Sequence, residues 1–216
     1  MPLSDRDYMR RTPPRGGGGR RYYSPGKVNL NPIWVLIGLN LILLIITTIS
    51  DESLLRLGLN PDLFWSRPWT LISAMFTHDG FWHFFGNMIV LFFFGRFLTM
   101  LVGQNWFLLV YFVGGIVGNI LFLVVDMAMG NVGHIAVGAS GAVYAVAGTL
   151  VVLMPNLKVY LYFLIPMPLW VVVIVFFGIW SIPGVIPGIA WEAHLGGLVT
   201  GLVAGYLFRR KRKFIY

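Results

Sequence analysis

From Ile33 onward, long apolar runs alternate with short polar gaps: Ile33 to Ile49, Phe84 to Val102, Trp106 to Met127, Ser140 to Met154, Tyr160 to Trp180 and Ala190 to Phe208. Runs of this kind predict membrane-spanning helices, since about 20 apolar residues cross a hydrocarbon core of about 30 Å. The expected architecture is an all-α polytopic membrane protein with six transmembrane helices, forming one domain over residues 29–208 because most gaps are short. The gap from Ser50 to Trp82 is the exception. It carries Phe64-Trp65 and Pro68-Trp69, so it predicts a long first loop lying in the membrane interface, where indole rings settle. Residues 1–28, with Pro13-Pro14, the run Gly16 to Gly19 and many arginines, predict a disordered tail. The first apolar run has no small-residue cleavage pattern and is expected to be a retained span.

Composition supports the membrane assignment. The chain is 57% hydrophobic and 11% charged, with a mean hydropathy of +0.78, too apolar for the surface of a soluble domain. It has no cysteine, which excludes disulfides and thiolate chemistry. The net charge of +8 sits mostly at the two ends: Arg6, Arg10, Arg11, Arg15, Arg20, Arg21 and Lys27, then Arg209, Arg210, Lys211, Arg212 and Lys213. These read as cytoplasmic anchors against the lipid bilayer rather than as a nucleic-acid surface, and residues 209–216 as a short basic tail. An even number of spans puts both termini on one side, as the charge independently requires.

On this topology the second, fourth and sixth spans run from outside to inside, so His83, Asn87, Ser140 and His194 all fall near the outer face at similar depth. Each has an ordinary explanation as an interfacial residue or a polar bridge between helices, and a G-x-S-G string is common in packed membrane helices. Four polar groups at one level point instead to a shared hydrated site. The fourth run, about 15 residues or roughly 22 Å long, is too short to span. Ser140 is therefore expected below the outer surface, at a helix N-terminus whose free N–H groups favour negative charge. Gly138 and Gly141 flank it and leave the hydroxyl accessible.

The strings Ala74-Met75-Phe76-Thr77-His78, His83-Phe84-Phe85-Gly86-Asn87-Met88, Phe94-Gly95-Arg96, Gly138-Ala139-Ser140-Gly141 with Tyr144, and Ala193-His194-Leu195-Gly196-Gly197 leading to Gly201 resemble the rhomboid family of intramembrane proteases. The resemblance covers about Asn29 to Phe208. It implies a six-transmembrane rhomboid bundle in which Ser140 and His194 form a catalytic dyad. His83, Asn87 and the Ser140 N–H would bind the oxyanion, and Tyr144 would pack against the imidazole. It implies single-span transmembrane proteins as substrates, no cofactor and no metal, in a prokaryotic cell membrane with the site toward the outer face. Glu192, two residues from His194, is expected on another face and not as a third triad member. Gly197, Gly201 and Gly205 recur every four residues and are expected to bring the sixth helix close to the fourth.

Two positions depart from the family pattern. Trp69-Thr70 stands where Trp-Arg is frequent, with Arg67 two residues earlier, and Thr99 stands where a glutamate is common. Both put loop or helix packing in question more than catalysis. His78 is expected to be structural or interfacial, and His134 a loop residue. Two other classes compete with the protease: a catalytically silent rhomboid-like protein that holds membrane clients, and a channel or metal transporter using the histidines. The intact Ser140 and His194 argue against the first. The lack of companion acidic or thiolate ligands argues against the second.

Overall fold

The computed structural model describes residues 31–131, 133–161, 164–179, 182–183 and 188–211. The tail expected over residues 1–28 lies outside the described residues, as do residues 212–216 and most of the segment Ser181 to Pro187. Helix α1 runs over Pro32–Ile49, α4 over Phe81–Val102, α5 over Gln104–Met129, α6 over Ser140–Leu153 and α8 over Trp191–Lys211. Between α1 and α4 lie the short helices α2 (Asp51–Leu57) and α3 (Thr70–Ser73), with 3-10 turns at Pro61–Ser66 and Ala74–Phe76. Among the described residues three helices, α1, α4 and α5, are long and apolar enough to cross a membrane.

Local chemistry sets the ends of these helices. Asn31 Oδ1 accepts the Ile33 N–H at 3.0 Å, and Pro32 fills the first helical position, where a missing N–H costs nothing. A single residue, Gly103, separates α4 from α5, and its φ of 85° reverses the chain in a conformation that side chains disfavour. Helix α8 continues through Arg209 and Arg210 to Lys211, past the expected end at Phe208.

The apolar run from Tyr160 to Trp180 is not one helix. Residues Lys158–Leu161 (β1) and Ile165–Pro168 (β2) form an antiparallel hairpin pairing Lys158 with Pro168 and Tyr160 with Pro166. Helix α7 begins only at Leu169, runs to Val172 and continues as a π-helix over Val173–Gly178. Pro166 and Pro168 explain the correction. Proline lacks the N–H that a helix interior needs, and it biases the preceding residue toward extended backbone.

Helix α6 is the centre of the bundle, and its residues from Gly141 to Leu150 are buried without a break. A helix buried on every side needs neighbours all round, and α8, α5 and α4 supply them. In a bilayer, burying apolar surface between helices gains little, so association depends on close van der Waals packing by small residues. Here the packing is backbone to backbone. A Cβ on Gly197 would run into the Gly141 carbonyl of α6, one on Gly201 into the Ala145 carbonyl, and one on Gly205 would come within 2.8 Å of the Thr149 carbonyl oxygen. From the other side, Gly114 of α5 lies against the Ala145 methyl and Gly115 close to Ala142. Thr149 Oγ adds a polar clasp near the Ala145 and Gly201 carbonyls, at 2.8 and 3.0 Å.

The first loop folds back on itself and onto the segment before α6. Arg67 donates to the Leu55 carbonyl, the Trp69 indole to the Arg56 carbonyl and Ser73 to the Leu57 carbonyl. The shifted Arg67 and the Trp69-Thr70 pair therefore both take part in loop packing. Asn119 of α5 donates to the Leu71 carbonyl at 2.8 Å. Leu59 and Ala136 exchange two backbone hydrogen bonds of 2.9 Å, and the Gly133 N–H reaches Asp62 Oδ2 at 3.0 Å. At the other departure, the Thr99 hydroxyl is buried and has no hydrogen-bond partner among the described residues.

Replacing Gly201 by valine is expected to destabilise the bundle by about 1–3 kcal/mol through overpacking. Gly38→Ala, at a position with open space around it, should change little. Thermal unfolding of the purified variants in detergent checks both.

Candidate active site

Ser140 is the first residue of α6 and His194 lies in the first turn of α8. The glycine seam between these helices brings His194 Nε2 to 2.8 Å from Ser140 Oγ, a hydrogen-bond distance, although the residues are 54 positions apart. His194 is 7% exposed, while Ser140 is half-buried. The serine is thus the more open member of the pair.

Tyr144, one turn along α6, stacks on the His194 ring at 4.2 Å between centroids and 17° between planes. Such a pair contributes about 0.5–1.5 kcal/mol beyond area burial and limits the tilt of the imidazole. Phe177, in the π-helical part of α7, closes on Tyr144 at 4.6 Å and stacks on Phe94 of α4 at 6.2 Å. The wall behind His194 therefore comes from three helices. Glu192 is buried and its electrostatic neighbours are Asp126 and His134. The His134 Nδ1 sits 3.2 Å from Asp126 Oδ1, so this histidine belongs to the C-terminal end of α5.

On the other side of Ser140 the chain passes through Gly138 with φ of 120°, a conformation open to glycine. A Cβ there would stand 2.7 Å from His83 Nε2 and 3.6 Å from Ser140 Oγ. The imidazole of His83 and the serine hydroxyl thus flank one point of the backbone, and a methyl group on Gly138 would drive into the His83 ring while only touching the hydroxyl. Asn87, one turn further along α4, is buried and its Nδ2 donates to the His83 carbonyl at 2.9 Å. An amide NH2 carries two hydrogens, so a second remains for another acceptor. The N–H groups of the first turn of α6 have no intrahelical carbonyl to meet, and the helix dipole adds positive character there.

The structure thus brings together Ser140, His194, Tyr144, His83 and Gly138, with Asn87 adjoining on α4 and Gly141, Gly197 and Gly201 in the seam beneath. Two residues in this arrangement were not singled out for it in the sequence. Phe177 lies in a run of apolar residues and carries no local mark. His78, expected to be structural or interfacial, is 1% exposed, and its Nε2 accepts the Ala139 N–H at 3.4 Å.

A serine hydroxyl within hydrogen-bond reach of a buried imidazole, at a helix N-terminus in an apolar helical bundle, is an arrangement that nucleophilic chemistry uses in other proteins. Residues 66–211 match the family model for the Rhomboid domain. The chain belongs to the rhomboid family, whose members are generally intramembrane serine proteases. It is 31% identical over 144 residues to Rhomboid protein 1, mitochondrial, of Saccharomyces cerevisiae, a match covering 63% of this chain and 41% of that protein. It is 31% identical over 158 residues to RHOMBOID-like protein 12, mitochondrial, of Arabidopsis thaliana, covering 66% and 47%. The chain therefore spans less than half the length of these two relatives.

Gly138→Ala, which puts a methyl group against His83, is expected to slow labelling of Ser140 by a fluorophosphonate probe by about tenfold or more. Gly86→Ala on α4, where nothing lies within 4 Å of the new methyl group, should leave labelling unchanged. In-gel fluorescence of the detergent-purified variants measures both.

Proposed function

We propose that this chain is an intramembrane serine endopeptidase that cleaves single-span transmembrane proteins near the outer part of the bilayer. The observation that carries the reading is the 2.8 Å contact between Ser140 Oγ and His194 Nε2 at the start of α6. This helix has 14 residues, roughly 21 Å at 1.5 Å per residue, and is too short for a hydrocarbon core of about 30 Å. A scissile bond reaching Ser140 would lie below the membrane surface. In this reading α1, α4, α5, α6, α7 with its π-helical turn, and α8 are the six spans. Both basic ends face the cytoplasm of a prokaryotic cell and the site opens outward.

Neutral His194 accepts the Ser140 proton as Oγ attacks the scissile carbonyl carbon, and the carbonyl oxygen gains the negative charge. Donors fixed around that oxygen stabilise it by about 3–4 kcal/mol each. The Ser140 N–H, the His83 ring and the free hydrogen of the Asn87 amide fill that role. Collapse of the intermediate breaks the C–N bond, and the proton on His194 leaves with the amine. Water then repeats the sequence on the acyl-serine and regenerates Ser140. Tyr144 keeps the imidazole in plane with the hydroxyl throughout. No metal or cofactor enters these steps.

Purified protein in liposomes with a single-span reporter substrate tests the reading. Ser140→Ala and His194→Ala are each expected to lose at least about 10³-fold of the cleavage rate, and Asn87→Ala about 10²-fold. Undiminished cleavage by Ser140→Ala would overturn the proposal. So would the absence of cleavage by the native chain, an outcome that favours a rhomboid-like protein holding membrane clients.

A further inference from the structure

His78 lies between the 3-10 turn Ala74–Phe76 and helix α4, and it is among the most deeply buried polar residues described. A polar ring at that depth calls for partners. The Ala74 carbonyl accepts the Gly138 N–H at 2.9 Å, and His78 Nε2 accepts the next one, from Ala139, at a longer 3.4 Å. One short stretch of the first loop thus captures two consecutive N–H groups just ahead of Ser140. The same ring stands edge-on to His83, 5.0 Å between centroids at 71°, and edge-on to Phe84, 5.6 Å at 88°. His83 in turn packs over Gly138 beside the Ser140 hydroxyl.

Accepting at Nε2 requires the neutral ring with its proton on Nδ1. Burial, and after it the charge that His83 would carry, hold the His78 pKa down to about 3, and among the described residues the buried Nδ1 meets no hydrogen-bond acceptor. The ring therefore stays a neutral acceptor wherever the protein is folded near neutral pH. Phe84 on one side and His83 on the other limit its rotation.

From this geometry we infer that His78 is a positioning residue, which holds the backbone of Ala139 and braces the His83 imidazole so that Ser140 and the oxyanion donors keep their register. Ala139 caps α6, so any drift of its N–H is passed directly to the Ser140 hydroxyl. The inference rests on the protease reading and extends it to a residue of the first loop outside the Ser140–His194 pair. It assigns the first loop a part in the chemistry.

The test compares His78→Ala and His78→Gln with the native chain in liposomes on the single-span reporter. Glutamine keeps a side-chain carbonyl able to accept the Ala139 N–H. His78→Ala is expected to lower kcat by at least about tenfold with KM changed less than about twofold, and His78→Gln to recover most of that loss. Hydrogen exchange of a peptide covering residues 137–141 should quicken in the alanine variant and return toward native in the glutamine variant. Unchanged kcat in His78→Ala overturns the inference. So does a loss equal in both variants and matched by a fall in thermal stability. If the native chain itself cleaves nothing, the protease reading fails and this inference with it. Native cleavage with an indifferent His78 refutes the inference alone.

Discussion

Two backbones lie in direct contact along the seam where Gly197, Gly201 and Gly205 of α8 meet Gly141, Ala145 and Thr149 of α6, and the separation of Ser140 from His194 follows from that contact. Helices bearing ordinary side chains pack with axes about 8–10 Å apart. Glycine removes the spacer, and Cα-to-carbonyl approach becomes possible. With Ser140 on one helix and His194 on the other, a wider seam would draw Oγ and Nε2 beyond hydrogen-bond reach. The polar pair thus depends on residues that have no functional groups. Thr149 reinforces them, its hydroxyl lying within bonding distance of carbonyls on both helices.

The seam fixes the distance between the two helices but not the chain that leads into α6, and here the first loop contributes. Its backbone pairs with Ala136, its Asp62 holds Gly133, its Ala74 carbonyl holds Gly138 and His78 reaches Ala139. These contacts fall at intervals along the approach to Ser140, so this serine enters its helix from a braced stretch of backbone. Asn119 fastens the loop to α5 in turn. The loop's exposed Trp65 and Trp69 suit the membrane interface, while its inner side is committed to the site. One segment serves two environments because short helices and turns satisfy its backbone internally, a condition that interfacial and buried segments share.

Much of this was legible from residues alone. The apolar runs gave the positions of α1, α4, α5, α6 and α8 to within a few residues, because a bilayer demands long uninterrupted apolarity that soluble proteins avoid. The strings around Ser140, His83 and His194 carried the family resemblance, and the four-residue glycine spacing on α8 pointed to a close neighbour. The stretch from Tyr160 to Trp180 was misread as one helix, since hydropathy responds to composition and is blind to whether two prolines turn an apolar run into a hairpin. Phe177, and the partners of a His78 expected to be structural or interfacial, escaped for a different reason. Their roles are relations to Tyr144, Ala139 and His83, none of which is a local property of the residues themselves.

The sequence by itself determined that this chain lives in a membrane, that it is helical and that it carries a serine and a histidine of the rhomboid pattern. These follow from hydropathy, from glycine spacing and from residue identity, all of which are written along the chain. Only the tertiary structure decided that Nε2 stands 2.8 Å from Oγ, that His83 and Ser140 both flank the Gly138 backbone, and that a loop histidine accepts the N–H of the residue before Ser140. Those are distances between residues far apart in sequence. They depend on how α4, α6 and α8 pack, and packing is a property of the assembled helices that no single segment contains.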